Sequence, residues 1–193
     1  MDISNIANLL ERIATALEKQ QPNLSYAAQA PDWKSAHAFI WQAQNLCLKP
    51  VPDTGALPHD LLIGIDQNYQ ILLQNTLQFA SGFSANNALL WGARGTGKSS
   101  SVKSIHHKII NEGSSLYLIE IYREDLSTLP ILLDLLKAEK DKRFILFCDD
   151  LSFDAQDNGY KALKSVLEGG IEERPGNVLF YATSNRRHLV PRD

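Results

Sequence analysis

The sequence has few cysteines and no long apolar run, and these absences exclude several classes of protein. Its two cysteines, Cys47 and Cys148, stand far apart and form no Cys-x-x-Cys pair, so a disulfide framework or a zinc site is not expected. No apolar run approaches the about 20 residues that a membrane-spanning helix needs. The N-terminus also lacks a basic region followed by an apolar stretch, as a signal peptide would have. We therefore expect a cytoplasmic protein in a reducing compartment, with no membrane partner.

An excess of positive charge is also missing. The formal net charge is −3, so no global basic field draws the protein to nucleic acid or to a membrane surface. Of the 193 residues, 44% are hydrophobic and 21% are charged. This composition suits one globular domain with a real core, with or without an appendage.

One loop carries the first chemical motif. An apolar run at residues 88–91 is typical of a buried strand, and the glycine-rich loop after it fits the phosphate-binding pattern Gly-x-x-x-x-Gly-Lys-[Ser/Thr]. Glycines let the backbone come close to a phosphate, and successive N–H groups with the positive end of the next helix form an anion site. The residues of this loop are Gly92, Ala93, Arg94, Gly95, Thr96, Gly97, Lys98, Ser99 and Ser100.

Two side chains at the end of this loop predict a triphosphate with Mg²⁺. Lys98 supplies a point charge for the β- and γ-phosphates, and Ser99 offers a hydroxyl to the metal. The alternative is a glycine-rich turn that matches the pattern by accident. The predicted strand before the loop and the helix-compatible run at residues 100–111 favour the phosphate site, because the motif requires that context.

Two aspartates end a second predicted strand. Four large apolar residues at 144–147 and Cys148 precede Asp149 and Asp150. A buried parallel strand ends in carboxylates when these face a ligand at the carboxyl edge of the sheet. Asp149 would hold Mg²⁺ through water or through Ser99, and Asp150 is the candidate base that orients an attacking water. Taken alone, a strand that ends in a polar turn is an equal alternative, and the phosphate loop upstream favours the ligand site.

A further strand predicted at residues 178–185 ends in Asn185. This amide would lie at the same sheet edge as Asp149, where it could hold the attacking water or sense the γ-phosphate. Arg186, Arg187 and His188 follow it directly. They could reach a phosphate, a neighbouring subunit or nucleic acid, and a solvated turn is an equal alternative.

The remaining periodicity predicts the order of the other elements. Apolar residues at helical spacing predict helices at residues 3–20 and 31–48, and the residues between 49 and 60 read as a linker. We therefore divide the chain into an N-terminal helical region with its linker, residues 1–55, and a nucleotide-binding core, residues 56–193. Within the core we expect helices at residues 67–79 and 160–168, a strand at 115–121, and a helix that Ser127 or Thr128 caps.

The three motifs together resemble those of the AAA+ ATPases, with a Walker A at residues 92–99, a Walker B at 144–150 and a sensor 1 at Asn185. The runs at 89–100, 144–153 and 160–188 are similar to an uncharacterised bacterial AAA+ family catalogued as a domain of unknown function, and the resemblance covers roughly residues 30–193. It implies an α/β fold, a P-loop NTPase three-layer sandwich with a mostly parallel central sheet. It also implies ATP and Mg²⁺ as cofactors, with the adenine near Leu62, Ile63 and Gly64.

The sequence departs from the AAA+ pattern in two places. The usual Walker B ends in Asp-Glu, whereas this chain has Asp149-Asp150, whose second carboxylate is one methylene shorter. In AAA+ proteins a fifth core strand, an arginine finger and a helical lid with sensor 2 usually follow sensor 1, and the sequence ends at Asp193 without them. Either the sequence is a fragment, or hydrolysis depends on something outside it.

The expected function is ATP binding and Mg²⁺-dependent ATP hydrolysis by a homo-oligomeric AAA+ module that remodels an unknown protein or nucleic-acid partner. One alternative is a nucleotide-dependent switch or loader that hydrolyses weakly or not at all, which the shorter side chain of Asp150 favours. A second alternative is a P-loop kinase of small molecules. Asn185 at the end of a fourth strand argues against a kinase, as does the lack of an arginine-bearing lid.

Overall fold

Six strands and three helices build the described part of the chain. The structure is a computed structural model, and it describes residues 28–153, 163–164 and 175–186. The strands are β1 (Ala38–Gln42), β2 (Cys47–Pro50), β3 (Ala88–Trp91), β4 (Leu116–Glu120), β5 (Arg143–Cys148) and β6 (Val178–Ser184). The helices are α1 (Asp66–Ala80), α2 (Lys98–Asn111) and α3 (Leu129–Lys137), with short 3₁₀ segments at His59–Leu61 and Arg123–Thr128.

The strands form one mixed sheet in the order β2-β1-β4-β5-β6-β3. β1 pairs antiparallel with β2, and every other neighbouring pair is parallel. The apolar runs in β5 and β6 follow from this arrangement, because parallel strands are covered on both faces. All seven residues of β6 are buried. The predicted α/β fold with a mostly parallel sheet is confirmed.

Helices cover both faces of the sheet and create two cores. Side chains of α1 and α2, among them Phe79 and Ile105, pack on one face against Ile145 of β5. Side chains of α3, among them Leu132, pack on the other face against Leu146. Successive residues of β5 thus enter opposite cores, as the two-residue period of a strand requires. The result is the three-layer arrangement typical of α/β domains.

The predicted helix at residues 31–48 is wrong. Residues 38–50 form the antiparallel hairpin of β1 and β2, and β1 extends the sheet beside β4. Trp41 is fully buried there, and its Nε1 donates a hydrogen bond to Thr128 Oγ1 at 2.8 Å. Apolar residues in this stretch fit both helical and strand spacing, and pairing with β4 decides between them. The predicted helix at residues 3–20 lies outside the described residues.

The other predicted elements that fall on described residues are confirmed to within a few residues. The helix predicted at 67–79 is α1, the strand at 115–121 is β4, and the strand at 178–185 is β6. Thr128 precedes α3 as predicted, yet its hydroxyl donates to Asp125 O at 2.7 Å and does not cap the helix. Most of the helix predicted at 160–168 lies outside the described residues, and the division at residues 55 and 56 stays a prediction. None of the described helices is long and apolar enough to cross a membrane.

One titratable group lies deep between α2 and the sheet. His106 is 1% exposed, and its Nε2 lies 3.3 Å from the carbonyl oxygen of Leu116, to which it can donate a hydrogen bond. Burial lowers the pKa of His106 from 6.5 to about 4, and the nearby charges of His37 and His107 lower it further while the backbone hydrogen bond opposes the change. His106 is therefore neutral in the folded protein at neutral pH.

We expect acid to destabilise the protein through His106. Because its folded-state pKa lies below its unfolded value of 6.5, its contribution is complete above pH 6.5 and is lost as the pH falls towards about 4. A shift of this size corresponds to about 3 kcal/mol of unfolding free energy. Thermal unfolding of the parent and of His106→Gln is followed between about pH 7 and pH 4. The unfolding temperature should fall less steeply with decreasing pH in the variant than in the parent. His107→Gln, at an exposed neighbouring position, is the control, and it should keep most of the pH dependence of the parent because burial is the largest cause of the lowered pKa of His106. Equal slopes for His106→Gln and the parent would contradict this assignment.

Candidate functional site

A cleft of about 770 Å³ lies at the carboxyl edge of the parallel strands. Three segments line it: the loop between β3 and α2, the ends of β5 and β6, and the stretch before α1. The carboxyl ends of neighbouring parallel strands meet at one edge, which is where ligands of open α/β sheets bind. The residues that line the cleft are Leu57, Leu61, Leu62, Ile63, Gly64, Ile65, Arg94, Gly95, Thr96, Gly97, Lys98, Ser99, Ser100, Asp149, Asp150, Thr183 and Asn185.

The glycine-rich loop runs directly into α2. Gly95 has φ 81° and Gly97, the N-cap of α2, has φ 77°, both in the left-handed region that favours glycine. A Cβ at Gly97 would also come 3.4 Å from Ile65 Cδ1, so the loop passes close to the stretch before α1. The first turn of the 14-residue α2 therefore opens at the cleft, where its free N–H groups can meet an anion.

Lys98 lies over the loop that precedes it. Its Nζ donates hydrogen bonds to the carbonyl oxygens of Gly92 at 2.9 Å and Ala93 at 2.7 Å, and to Asn185 Oδ1 at 3.3 Å. All three acceptors are neutral, and no carboxylate among the described residues forms an ion pair with Lys98. The charge of Lys98 is therefore not neutralised within the described part of the chain. Gly92 and Ala93 do not line the cleft themselves and contribute through these carbonyls.

Ser99 and Asp149 meet across the cleft. Ser99 Oγ donates a hydrogen bond to Asp149 Oδ1 at 2.5 Å. A hydroxyl oxygen beside a carboxylate fits Mg²⁺, which prefers oxygen ligands and commonly takes only one or two carboxylates, with phosphates and waters completing its shell. The described residues contain no cluster of three or more histidine, cysteine or acidic side chains that could hold a metal by itself. The donor set thus fits a metal that arrives with phosphates.

Asn185 links the candidate base to the lysine of the loop. Its Nδ2 donates to Asp150 Oδ1 at 2.6 Å, while its Oδ1 accepts the hydrogen bond from Lys98 Nζ. Asp150 itself has φ 51°, an uncommon backbone conformation for a residue other than glycine. Three side chains that sequence reasoning selected from three distant motifs therefore form one connected chain.

An apolar wall faces the cationic loop. Ile63 is 90% exposed and Leu61 is 61% exposed, whereas Leu62 is buried. Gly64, with φ 80°, completes the turn that presents them. Exposed apolar side chains beside a phosphate-type loop suit a flat, weakly polar ring attached to phosphates. Ile63 and Gly64, predicted from the family resemblance, both line this wall.

Two further titratable groups flank the two aspartates. Burial raises the pKa of Glu120 at the end of β4, and the charge of Asp149 adds to this while Lys103 opposes it. Burial, with the charge of Asp149, also raises the pKa of the Cys148 thiol to about 12. Cys148 is therefore a neutral thiol packed in the core, and nucleophilic chemistry by this cysteine is excluded at neutral pH.

Sequence reasoning missed one polar residue of the site, Thr183. Its hydroxyl donates to Asp149 Oδ1 and accepts a hydrogen bond from the Asp150 amide at 2.9 Å. The available signal was its position two residues before Asn185, where the apolar run of β6 gives way to polar residues, since residues two apart share a face. Arg186 is exposed next to Asn185, and its amide donates to Ser184 Oγ at 3.1 Å. Arg187 and His188 lie outside the described residues.

Comparison with solved structures finds distant similarities. The Aeropyrum pernix Orc1 protein in complex with DNA matches with a TM-score of 0.49 and 16% identity over 68% of this chain and 40% of that chain. The Thermotoga maritima RuvB Holliday junction branch migration motor matches with a TM-score of 0.44 and 18% identity, over 69% and 43%. C. elegans PCH-2 matches with a TM-score of 0.46 and 18% identity, over 64% and 36%. The chain spans less than half the length of each, and similarity at this level carries no argument about function.

A comparison with curated protein sequences finds no match. Comparison with protein-family models does give a match. A family model described as "Protein of unknown function (DUF815)" matches residues 34–193, which include the glycine-rich loop, both aspartates and Asn185. This match confirms the predicted resemblance to a family catalogued as a domain of unknown function. The chain therefore belongs to the DUF815 family of proteins of unknown function.

Proposed function

We propose that this protein binds ATP with Mg²⁺ in the cleft and hydrolyses it. The observation that carries the proposal is the meeting of two hydrogen-bonded groups at the start of α2. One is the chain from Lys98 through Asn185 to Asp150, and the other is the pair of Ser99 and Asp149. Phosphoryl transfer to water requires a cation, oxygen ligands for a metal and a carboxylate that can accept a proton, and these groups provide all three.

Each side chain has a distinct role in the proposed reaction. The loop amides and Lys98 bind and orient the phosphates, which favours attack at the terminal phosphorus. Ser99 and Asp149 would hold Mg²⁺, which neutralises charge on the phosphate oxygens when bound. Asp150 would accept a hydrogen bond from the attacking water and take its proton, while Asn185 fixes the position of the Asp150 carboxylate. The wall formed by Leu61, Ile63 and Gly64 would take the adenine, with the buried Leu62 behind it.

The wider role extends this proposal. The resemblance of the three motifs to those of AAA+ ATPases suggests a homo-oligomer whose ATP turnover remodels a macromolecular partner, either protein or nucleic acid. In this view ATP hydrolysis in the cleft provides the free energy for remodelling, and surfaces outside the cleft bind the partner.

A second candidate function is a nucleotide-dependent switch that hydrolyses little. One observation favours it: Asp150 Oδ1 already accepts a hydrogen bond from Asn185 at 2.6 Å, which leaves a short carboxylate less able to reach a water. In a switch, the nucleotide would change the hydrogen bonds among Lys98, Asn185 and Asp150, and the protein would respond to occupancy without turnover.

Equilibrium binding and single-turnover hydrolysis of ATP by the full chain test both candidates. We expect ATP to bind with Mg²⁺, and binding to weaken when EDTA removes the metal. Phosphate release at stoichiometric ATP would support the ATPase. Tight binding with no phosphate release would support the switch. If the chain binds no nucleotide at any Mg²⁺ concentration tested, both candidates are wrong.

A further inference from the structure

A single buried residue, Thr183, holds the whole turn that ends β5. Its Oγ1 donates to Asp149 Oδ1 and accepts from the Asp150 amide at 2.9 Å, and its carbonyl oxygen accepts from the Leu151 amide at 2.7 Å. Thr183 is 1% exposed, so these bonds are shielded from water. The side chain and the backbone carbonyl of Thr183 thereby connect three consecutive residues, 149 to 151, to β6.

The first consequence concerns the carboxylate of Asp149. Its Oδ1 accepts hydrogen bonds from Ser99 Oγ, from Thr183 Oγ1 and from the Asp150 amide at 3.1 Å. Three donors converge on one oxygen, which occupies its lone pairs and restrains rotation of the carboxylate. Oδ2 is not engaged by these three donors. Among the described contacts, Oδ2 is thus the oxygen of Asp149 that remains for other ligands, and Thr183 is one of the three donors that select it.

The second consequence concerns the backbone of Asp150. A φ of 51° is uncommon for a residue other than glycine, and although aspartate adopts it more readily than most residues, its surroundings stabilise it here. Here the amides of Asp150 and Leu151 both donate to Thr183, one to its hydroxyl and one to its carbonyl. This conformation carries the Asp150 side chain to Asn185. The same threonine therefore orients both carboxylates of the site.

We propose that Thr183 is a positioning residue that sets Asp149 for Mg²⁺ and Asp150 for water. The proposal rests on the function proposed above, because it assumes that nucleotide and Mg²⁺ bind in this cleft. Thr183 acts through the two aspartates, as residues that orient metal ligands commonly do. Its hydroxyl is the essential part, since only an oxygen can donate to one aspartate and accept from the amide of the next.

Three variants separate this role from packing. Thr183→Val keeps the side-chain shape and removes the hydroxyl, whereas Thr183→Ser keeps the hydroxyl and removes the methyl group. Thr76→Val is the matched control, because Thr76 is also fully buried and its hydroxyl also makes two hydrogen bonds. It donates to Leu72 O at 2.7 Å and pairs with Tyr181 Oη of β6 at 2.8 Å, and neither partner lines the cleft. For each protein, binding of a non-hydrolysable ATP analogue is measured in EDTA and then during titration with Mg²⁺. Thermal unfolding of each variant is recorded alongside.

We expect Thr183→Val to bind the analogue in EDTA with the same affinity as the parent. The Mg²⁺ concentration that gives half of the metal-dependent increase in affinity should be about tenfold higher than for the parent. Thr183→Ser should stay within about twofold of the parent in this Mg²⁺ requirement, because it retains both hydrogen bonds. Thr76→Val should unfold at a lower temperature with an unchanged Mg²⁺ requirement. A parent-like Mg²⁺ requirement in Thr183→Val would overturn the proposal. A Mg²⁺ requirement in Thr183→Ser as high as that of Thr183→Val would overturn it as well.

A measurement on the parent protein covers the case in which Thr183→Val does not fold. Amide hydrogen exchange should show slow exchange at Asp150 and Leu151, since both amides donate to Thr183. Exchange at the rate of an open loop would overturn the proposal. If the parent binds the analogue with no dependence on Mg²⁺, the role of Thr183 towards the metal is wrong while nucleotide binding stands. If the parent binds no analogue at all, the proposed function itself fails, and this inference with it.

Discussion

Replacing Lys98 with alanine is expected to lower the affinity for ATP by about 100-fold or more. Lys98 Nζ lies over the loop with three neutral acceptors and no carboxylate partner among the described residues, so its charge is available to phosphate. Each hydrogen bond to a charged group contributes about 1.5 to 3 kcal/mol, and two of them account for a 100-fold change. Isothermal titration of the parent and the variant with ATP and Mg²⁺ measures this effect directly.

The matched control for this variant lies on the same helix. Lys108→Ala removes an equal charge from an exposed position near the end of α2, so it should bind ATP as the parent does. Thermal unfolding of both variants shows whether the loss of the Gly92 and Ala93 contacts destabilises the loop. If Lys98→Ala binds ATP as tightly as the parent, the loop is not a phosphate site.

Replacing Asp150 with asparagine is expected to lower the rate of ATP hydrolysis by about 100-fold or more and to leave ATP binding within about twofold of the parent. The size of the rate effect is that of removing a general base. Asparagine tolerates a positive φ as well as aspartate does, so the turn at φ 51° should be retained. Its Oδ1 can still accept the hydrogen bond from Asn185, and only the capacity to take a proton is lost. Phosphate release under saturating ATP and Mg²⁺ is the measurement.

Two further variants make this test decisive between the proposed functions. Asp141→Asn, at an exposed position in the turn before β5, removes an equal charge away from the cleft and should hydrolyse ATP as the parent does. Asp150→Glu introduces the longer acidic side chain that AAA+ ATPases usually have at the position that Asp150 resembles. A large gain in rate for Asp150→Glu would indicate that the natural chain is closer to a switch. Parent-like hydrolysis by Asp150→Asn would show that Asp150 is not the base.

Much of the candidate site could be predicted because its signals are local in the sequence. The glycine-rich loop depends on fixed spacings among neighbours, and the strand before it and the helix after it are short-range patterns as well. Asp149, Asp150 and Asn185 were selected because each ends an apolar run, and parallel strands bring such ends to one edge. The structure does place all three in one cleft with Lys98 and Ser99. Their roles in binding and catalysis stay predictions.

Other features depend on contacts between residues far apart in the chain. A helix was predicted at residues 31–48, whereas residues 38–50 form a hairpin because β1 gains hydrogen bonds from β4, which lies about 80 residues further along. The hydrogen bonds of Asn185 to both Asp150 and Lys98 depend on side-chain directions that no spacing rule specifies. Thr183 was missed for the same reason, since a threonine in a strand usually only packs.

The sequence by itself determined the order of motifs and the α/β class, because loop spacing and apolar periodicity act over a few residues. Only the tertiary structure decided which strands pair, which oxygen of Asp149 is occupied and why Asp150 holds a positive φ. The physical reason is that hydrogen bonds are directional over about 3 Å. Their geometry is therefore fixed only when distant segments have packed against one another.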